Sequence, residues 1–400
     1  MEKRIKIVFV TRQFVDISIG GLENHVVHLA RALVAFDCDV TIIRISSLPS
    51  MIKVNDVFKF LVVPISNIRP QALDDVGRSS KFGELLSRLL CNFYSRDAYE
   101  VLLHEIEGAD IIHFHDFLAI IKVSKQLSRN NQVYWTNHLG EFLKITKMPF
   151  GKIFLRWSTR QFSAAIGPSL ELAEAKAIGT RVWHIPNGVD LKNFGFLSKT
   201  ERIELRKEMD FPIDKKIVLV PRRWAPNKGV RNLTFGLRDL EYPNLHFIFV
   251  GAGTGSYANY KKEIVDDLRQ WKTTFTILDS ISPDNMPKYY QISDFTLLPS
   301  IEEAVSLSAL EAMACGSIVL ATPLGGFLEL IRHTINGILS SDTTPEALIR
   351  LVNHALQLNE VQILEMEQEA RRTVSENYTW QAIAMQTKAL YIESANNKNE

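Results

Sequence analysis

Residues 294–322, "DFTLLPSIEEAVSLSALEAMACGSIVLAT", decide the fold. An apolar run ends at Pro299, and a second one, "SIVLAT", begins at Ser317. Between them a helix is expected to start near Ser306 or Ser308 and to stop at Gly316, a residue suited to the position just past a helix end. Two continuous apolar strands joined by a helix indicate a parallel sheet covered on both faces.

Working outward, the same alternation fills the chain. Short β-branched runs occur at 5–10, 39–45, 58–63, 110–115, 132–136, 164–167 and 181–185, and again at 216–221, 245–250 and 275–278. The rhythm pauses at "IPNGVDLKNFGFLSKTER", where Pro186-Asn187-Gly188 is a turn signal. The fold class is therefore α/β, with two doubly wound domains, 1–195 and 196–378. The tail, 379–400, carries Trp380, Ile383, Ala384, Thr387 and Tyr391 at helical spacing, a stripe that needs a partner surface on either half. Ligands of open α/β sheets sit outside the carboxyl ends of the strands, so the site is expected in a cleft between facing sheets.

Bulk properties narrow the function. At 400 residues the chain exceeds one hydrophobic core, and its net charge of +1 gives no overall pull toward nucleic acid. Cys38, Cys91 and Cys315 are odd in number and match no metal spacing, which points to a reducing, cytoplasmic setting. No apolar run reaches membrane-spanning length.

Several motifs carry chemistry. Gly20-Gly21 stands between the first strand and a helix, where free N–H groups and the helix dipole favour an anion. "LVPRRWAPNKGV" follows another strand, and Arg223 with Lys228 brackets a turn, so two cations could converge on a diphosphate. His138 lies just past a strand end, placed for substrate contact. "GAGTGSY" lacks the third glycine of a dinucleotide fingerprint, and Asp37 and Asp39 of "FDCDV" lie at the wrong end of a strand for a metal under a nucleotide. His113 and His115 share one side of a strand end, but no further ligands at metal spacing accompany them, so no metal is expected. Glu303 and Glu311 are acceptor-only groups suited to sugar hydroxyls, each able to accept from a vicinal pair. A rival duty remains for Glu311, because Ser308-Ala-Leu-Glu311 also matches a capping box.

Taken in order, "GGLENHVVHLARAL", "DIIHFHDF", "TNHLGEF", "IPNGVD", "RRWAPNKGV", "VGAGTGS", "PSIEEAVSLSALEAMACG" and "NGIL" resemble the retaining glycosyltransferases of family 4 over nearly the whole chain. The resemblance implies the GT-B fold, two facing Rossmann-like domains with the final helix crossing back onto the first. It implies transfer of a sugar from a nucleotide diphosphate such as a UDP- or GDP-sugar to a glycan or lipid-linked acceptor hydroxyl, with retention, without metal or cofactor, in surface glycan or glycolipid synthesis. It assigns catalysis to His138, Arg223, Lys228 and Glu303. Donor binding falls to Gly21, Arg223, Lys228, Glu303, Ala304, Val305, Ser306, Leu307 and Glu311, with Glu302 as the register rival of Glu303. The chain departs from the family at Ala304-Val305-Ser306, where a glycine-bearing triplet is usual. A nucleotide-sugar epimerase or hydrolase, or a degenerate sugar-nucleotide-binding protein, are the alternatives on the same fold.

One stretch stands outside that list. From Phe142 to Leu170 there is no acidic residue, while Lys144, Lys147, Lys152, Arg156 and Arg160 alternate with Phe150, Phe154, Leu155, Trp157 and Phe162. This composition fits either an interfacial helix on an anionic membrane or a core-facing helix with a solvated basic side.

Overall fold

The computed structural model describes residues 4–11, 21–46, 52–54, 59–64, 103–104, 106–115, 132–138, 142, 145–173, 176–252, 257–303 and 306–396. It divides into two compact units, Met1–Pro186 with Trp380–Glu400, and Asn187–Thr379.

In the first unit the strands are β1 (Ile5–Thr11), β2 (Cys38–Ser46), β3 (Ile52–Val54), β4 (Lys59–Pro64), β5 (Ile111–Phe114), β6 (Gln132–Thr136), β7 (Ala164–Gly167) and β8 (Val182–His184). They lie in the order β3-β4-β2-β1-β5-β6-β7-β8, parallel except where β3 meets β4. Every residue of β5 and β7 is buried; β7 accordingly reads as an unbroken apolar run, while β5 carries the buried His113 among its apolar residues. The helix Gly21–Val34 closes one face with Val26, Leu29, Ala30 and Leu33.

The tail helix, Trp380–Asn396, packs on this unit. Trp380, Ile383, Ala384, Thr387 and Tyr391 are all buried, the apolar ones among Ile7, Phe9 and Tyr134. Burying a side chain such as Ile383 is worth about 1.5–3 kcal/mol, so the stripe holds the tail firmly.

In the second unit the strands are β9 (Lys216–Pro221), β10 (Leu245–Val250), β11 (Thr274–Leu278), β12 (Phe295–Leu298), β13 (Ile318–Ala321) and β14 (Ile338–Leu339). Their order is β11-β10-β9-β12-β13-β14, parallel throughout. The unit begins at Asn187, ahead of the expected division at 195, because Val189 is already part of its core. The Val189 N–H donates to the Tyr378 carbonyl at 2.8 Å, tying the two ends of the unit together.

This is the two-domain α/β GT-B architecture. The short strands β3 and β14 had no counterpart among the expected runs, since two or three residues carry no readable period.

Candidate functional site

Among the parallel strands of each sheet the order reverses once, between β1 and β5 and between β9 and β12. Such a switch point opens a crevice at the carboxyl ends of the strands, where the two following loops diverge. Arg222, Lys228 and Glu303 of the second unit gather there.

The loop after β9 and the loop after β12 are stitched together by backbone. The Asn227 carbonyl accepts from the N–H of Ile301 at 3.0 Å and of Glu302 at 3.1 Å. Gly229 has φ +65°, and a Cβ on it would run into the Pro299 carbonyl oxygen, so glycine is required for this approach. The turn Pro226–Lys228 is thereby pressed against the segment that carries Glu303.

Three donors converge on Glu303 Oε2. Arg222 Nη2 and Lys228 Nζ each lie at 3.0 Å, and Ser300 Oγ at 3.1 Å. The carboxylate side chain is 6% exposed, that of Arg222 7% and that of Lys228 16%. Burial lowers the Lys228 ammonium from its ordinary value, against the pull of the Glu303 carboxylate. Arg222 Nη2 also donates to Ser306 Oγ at 3.0 Å. Among the described residues nothing accepts from the buried Arg222 Nε, so this guanidinium keeps a donor in reserve.

Arg223, the arginine singled out from the sequence, is exposed, and Arg222 takes the place beside Glu303. The reason is a tight turn at the strand end. The Arg222 N–H bonds the Val220 carbonyl at 3.0 Å and the Ala225 N–H bonds the Arg223 carbonyl at 2.8 Å, so the alternation of the strand no longer says which side chain faces where. Glu302 is exposed while Glu303 is turned inward, which separates the two register rivals.

The helix that follows is Leu307–Ala314, with Ser306 at its N-cap, where Ser306 Oγ accepts from the Ala309 N–H at 3.3 Å. Ser308 is inside the helix, so Glu311 has no capping duty. Instead the Tyr290 hydroxyl, from the helix Met286–Ile292, donates to Glu311 Oε2 at 2.9 Å. Burial pushes the Glu311 carboxyl up to about 7. Gly316, just past the helix, has φ +78°, as expected of its position. Ala304 and Val305 lie outside the described residues.

In the first unit the residues at the carboxyl ends of β5 and β6 are histidines. His113 is fully buried, with Nδ1 2.6 Å from the Tyr391 hydroxyl and Nε2 2.6 Å from Thr136 Oγ1. Its ring stacks on that of His115, centroids 4.3 Å apart. His115 Nδ1 lies 3.2 Å from His138 Nε2, and His25, on the helix Gly21–Val34, meets the His138 ring edge-on at 4.4 Å. Burial lowers all three of His113, His115 and His138, the first to about 3, so these rings are neutral. His138 is half-buried among them.

The expectation that no further ligands accompany the β5 histidines is corrected here. Ligand atoms of His25, His115 and His138 all lie within 4.8 Å of one another, a spacing that could hold a metal ion. Helix and strands bring together residues far apart in sequence, which motif spacing cannot register. Asp37, by contrast, is an exposed turn residue with φ +60°, and Asp39 an exposed strand entry, as expected. Gly21 opens its helix; Gly20 and residues 253–256 of the glycine-rich loop lie outside the described residues.

The model for glycosyltransferase family 4 matches residues 19–193, and that for glycosyl transferases group 1 matches residues 201–377. The chain belongs to the family 4, group 1 glycosyltransferases. This glycosyltransferase is 27% identical to an uncharacterised glycosyltransferase of Methanocaldococcus jannaschii, over 97% of this chain and 98% of that one. It is 25% identical to a phosphatidyl-myo-inositol mannosyltransferase of Propionibacterium freudenreichii, over 94% and 92%. Among solved structures, sucrose-phosphate synthase from Thermosynechococcus elongatus superposes with a TM-score of 0.76 at 20% identity, covering 98% of this chain and 99% of that one. The Anabaena HepE protein, in complex with UDP and glucose, superposes at 0.72 with 18% identity, over 96% and 99%. The structural likenesses bear on the fold.

Proposed function

We propose that this glycosyltransferase takes its sugar from a nucleotide diphosphate sugar and passes it to a hydroxyl of a glycan or lipid-linked acceptor with retention at the anomeric carbon. The buried Arg222–Glu303–Lys228 cluster at the β9–β12 switch point carries the reading. Two cations held at the end of parallel strands suit a diphosphate, and a carboxylate whose contacts among the described residues all fall on Oε2 has Oε1 to offer a sugar hydroxyl. Glu311, on the helix that Ser306 caps, suits the ribose, and the N-terminus of that helix, at Ser306 and Leu307, offers a positive dipole end suited to the donor phosphates. The Anabaena neighbour, solved with UDP and glucose, supports a donor of this class.

In this reading the bond between the anomeric carbon and the diphosphate breaks while the acceptor oxygen bonds the same face, and the acceptor proton passes to the departing phosphate oxygen. Arg222 and Lys228 stabilise the charge that builds on the diphosphate, the largest catalytic term on offer. His138, being neutral, can hydrogen-bond the reacting sugar without adding charge. No metal has a step in this scheme.

The test is a panel of nucleotide sugars with and without glycan and lipid-linked acceptors, read by NMR for product and anomeric configuration. Transfer with retention is expected, and Lys228→Ala should cut it by roughly 100-fold or more while the fold stays intact. Inversion, an epimerised donor, or no turnover of any donor would each overturn the proposal.

A further inference from the structure

The helix Gly151–Thr159 presents the wrong face to solvent for an ordinary surface helix. Its covered side consists of Gly151, Leu155, Ser158 and Thr159. The outward side carries Phe150, Ile153, Phe154 and Trp157 at i, i+3, i+4 and i+7, with exposures of 81%, 67%, 37% and 54%, and Met148 beside them at 38%. Large apolar side chains in one stripe on the outside mark a binding surface, in contrast to scattered exposed hydrophobics.

The helix is also held rigidly in that orientation. The Gly179 N–H donates to Thr159 Oγ1 at 2.7 Å, and Gly179 lies so close to the Arg156 carbonyl that a Cβ would collide with it. Phe150 itself sits in the left-handed region, φ +60°, a strained state for a bulky residue, and its ring gains no core contact in return. Strain kept without burial points to a use outside the fold.

Charge says what covers this face. Lys147, Lys152, Arg156 and Arg160 are all exposed around the stripe, and among the described residues no acid pairs with any of them. The sequence from Phe142 to Leu170 contains no acid at all. An isologous contact with a second copy would set these cations against themselves. An anionic lipid surface satisfies both halves at once, taking aromatic and aliphatic side chains at the headgroup level and pairing phosphates with the flanking cations.

We propose that the Phe150–Arg160 face is a membrane-docking surface that binds anionic bilayers peripherally. The inference stands apart from the donor chemistry. Among the described residues no helix is long and apolar enough to cross a membrane, so attachment here is interfacial.

Flotation of the full-length protein with vesicles of phosphatidylcholine alone, or with about one third phosphatidylglycerol, tests it. Binding to the anionic vesicles is expected to exceed that to neutral ones by about tenfold or more and to weaken with salt. The triple variant F150S/I153S/W157S, and separately K152E/R156E, should each lose about tenfold in partitioning with unchanged thermal unfolding. Two variants with opposite chemistry guard against one that folds poorly. Absent or equal binding to the two vesicle types, wild-type binding by both folded variants, or a dimer in light scattering that the triple variant dissolves would each overturn the proposal, the last in favour of a second copy of the chain.

Discussion

Arg222 and Glu303 come from the loops after two neighbouring parallel strands and meet at 3.0 Å with side chains 7% and 6% exposed. Charges this deeply buried are held only when paired, and removing one partner strands the other. In the proposed reading the pair pre-orients the donor site before a ligand arrives, with Arg222 rather than its exposed neighbour beside Glu303.

The first prediction separates the two arginines. Arg222→Ala is expected to lower kcat/KM by roughly 100- to 1,000-fold, as loss of a group that meets transition-state charge does. Arg223→Ala should stay within about threefold, in keeping with an exposed side chain. Steady-state kinetics on both variants checks this; equal losses would return Arg223 to the site.

Gly229 gives a second. Its left-handed φ and the Pro299 carbonyl beside it leave no room for a methyl group, so Gly229→Ala must push apart the two loops that hold Lys228 and Glu303. Destabilisation of about 2–4 kcal/mol is expected in chemical denaturation, together with a loss of turnover as large as that of Lys228→Ala. A variant of normal stability and activity would show that the loops do not depend on this approach.

These particulars explain what was readable beforehand. Buried parallel strands such as β7 and β13 show as unbroken apolar runs, and the Trp380–Tyr391 stripe declared a packed helix, so architecture and order were legible. Arg222 was not, because a three-residue turn at the end of β9 breaks the alternation that would have oriented it. His25 joins His115 and His138 only through tertiary contact, and Tyr290 reaches Glu311 from another helix, neither marked by local spacing. The helix at 151–159 shows the limit of periodicity from another side. A pattern reveals a stripe, yet which side of the helix is covered depends on small residues such as Gly151 and Ser158, which carry little signal.

The histidine stack yields a third prediction, in pH. Burial holds His113 neutral, at about 3, against 6.5 in the unfolded chain. A group depressed in this way contributes stability that is complete above pH 6.5 and is lost as the pH falls toward 3, by up to about 1.4 kcal/mol per unit for each such histidine. His115 and His138 are shifted in the same direction. Denaturant unfolding at pH 7 and pH 5 should therefore show a marked acid loss, with His113→Gln reducing its slope by about one proton. A slope unchanged in that variant would mean that His113 is not held neutral.

Glu311 supplies the last prediction, with the opposite sign. Burial raises its carboxyl to about 7, above an unfolded value of 4.5. The folded protein then binds a proton more readily than the unfolded one, so stability falls as pH rises from 4.5 to 7 and stays low beyond. Glu311→Gln removes this titration. Relative to wild type it should gain on the order of 2 kcal/mol between pH 5 and pH 8, read from melting curves across pH. The same variant should bind donor about tenfold more weakly near pH 8, because an amide offers one acceptor oxygen where the carboxylate offers two. Stability and affinity thus move in opposite directions, as expected of a carboxylate kept in an unfavourable place for its ligand. A variant that gains neither stability nor loses affinity would make Glu311 a plain partner of Tyr290, and the donor ribose would need another acceptor.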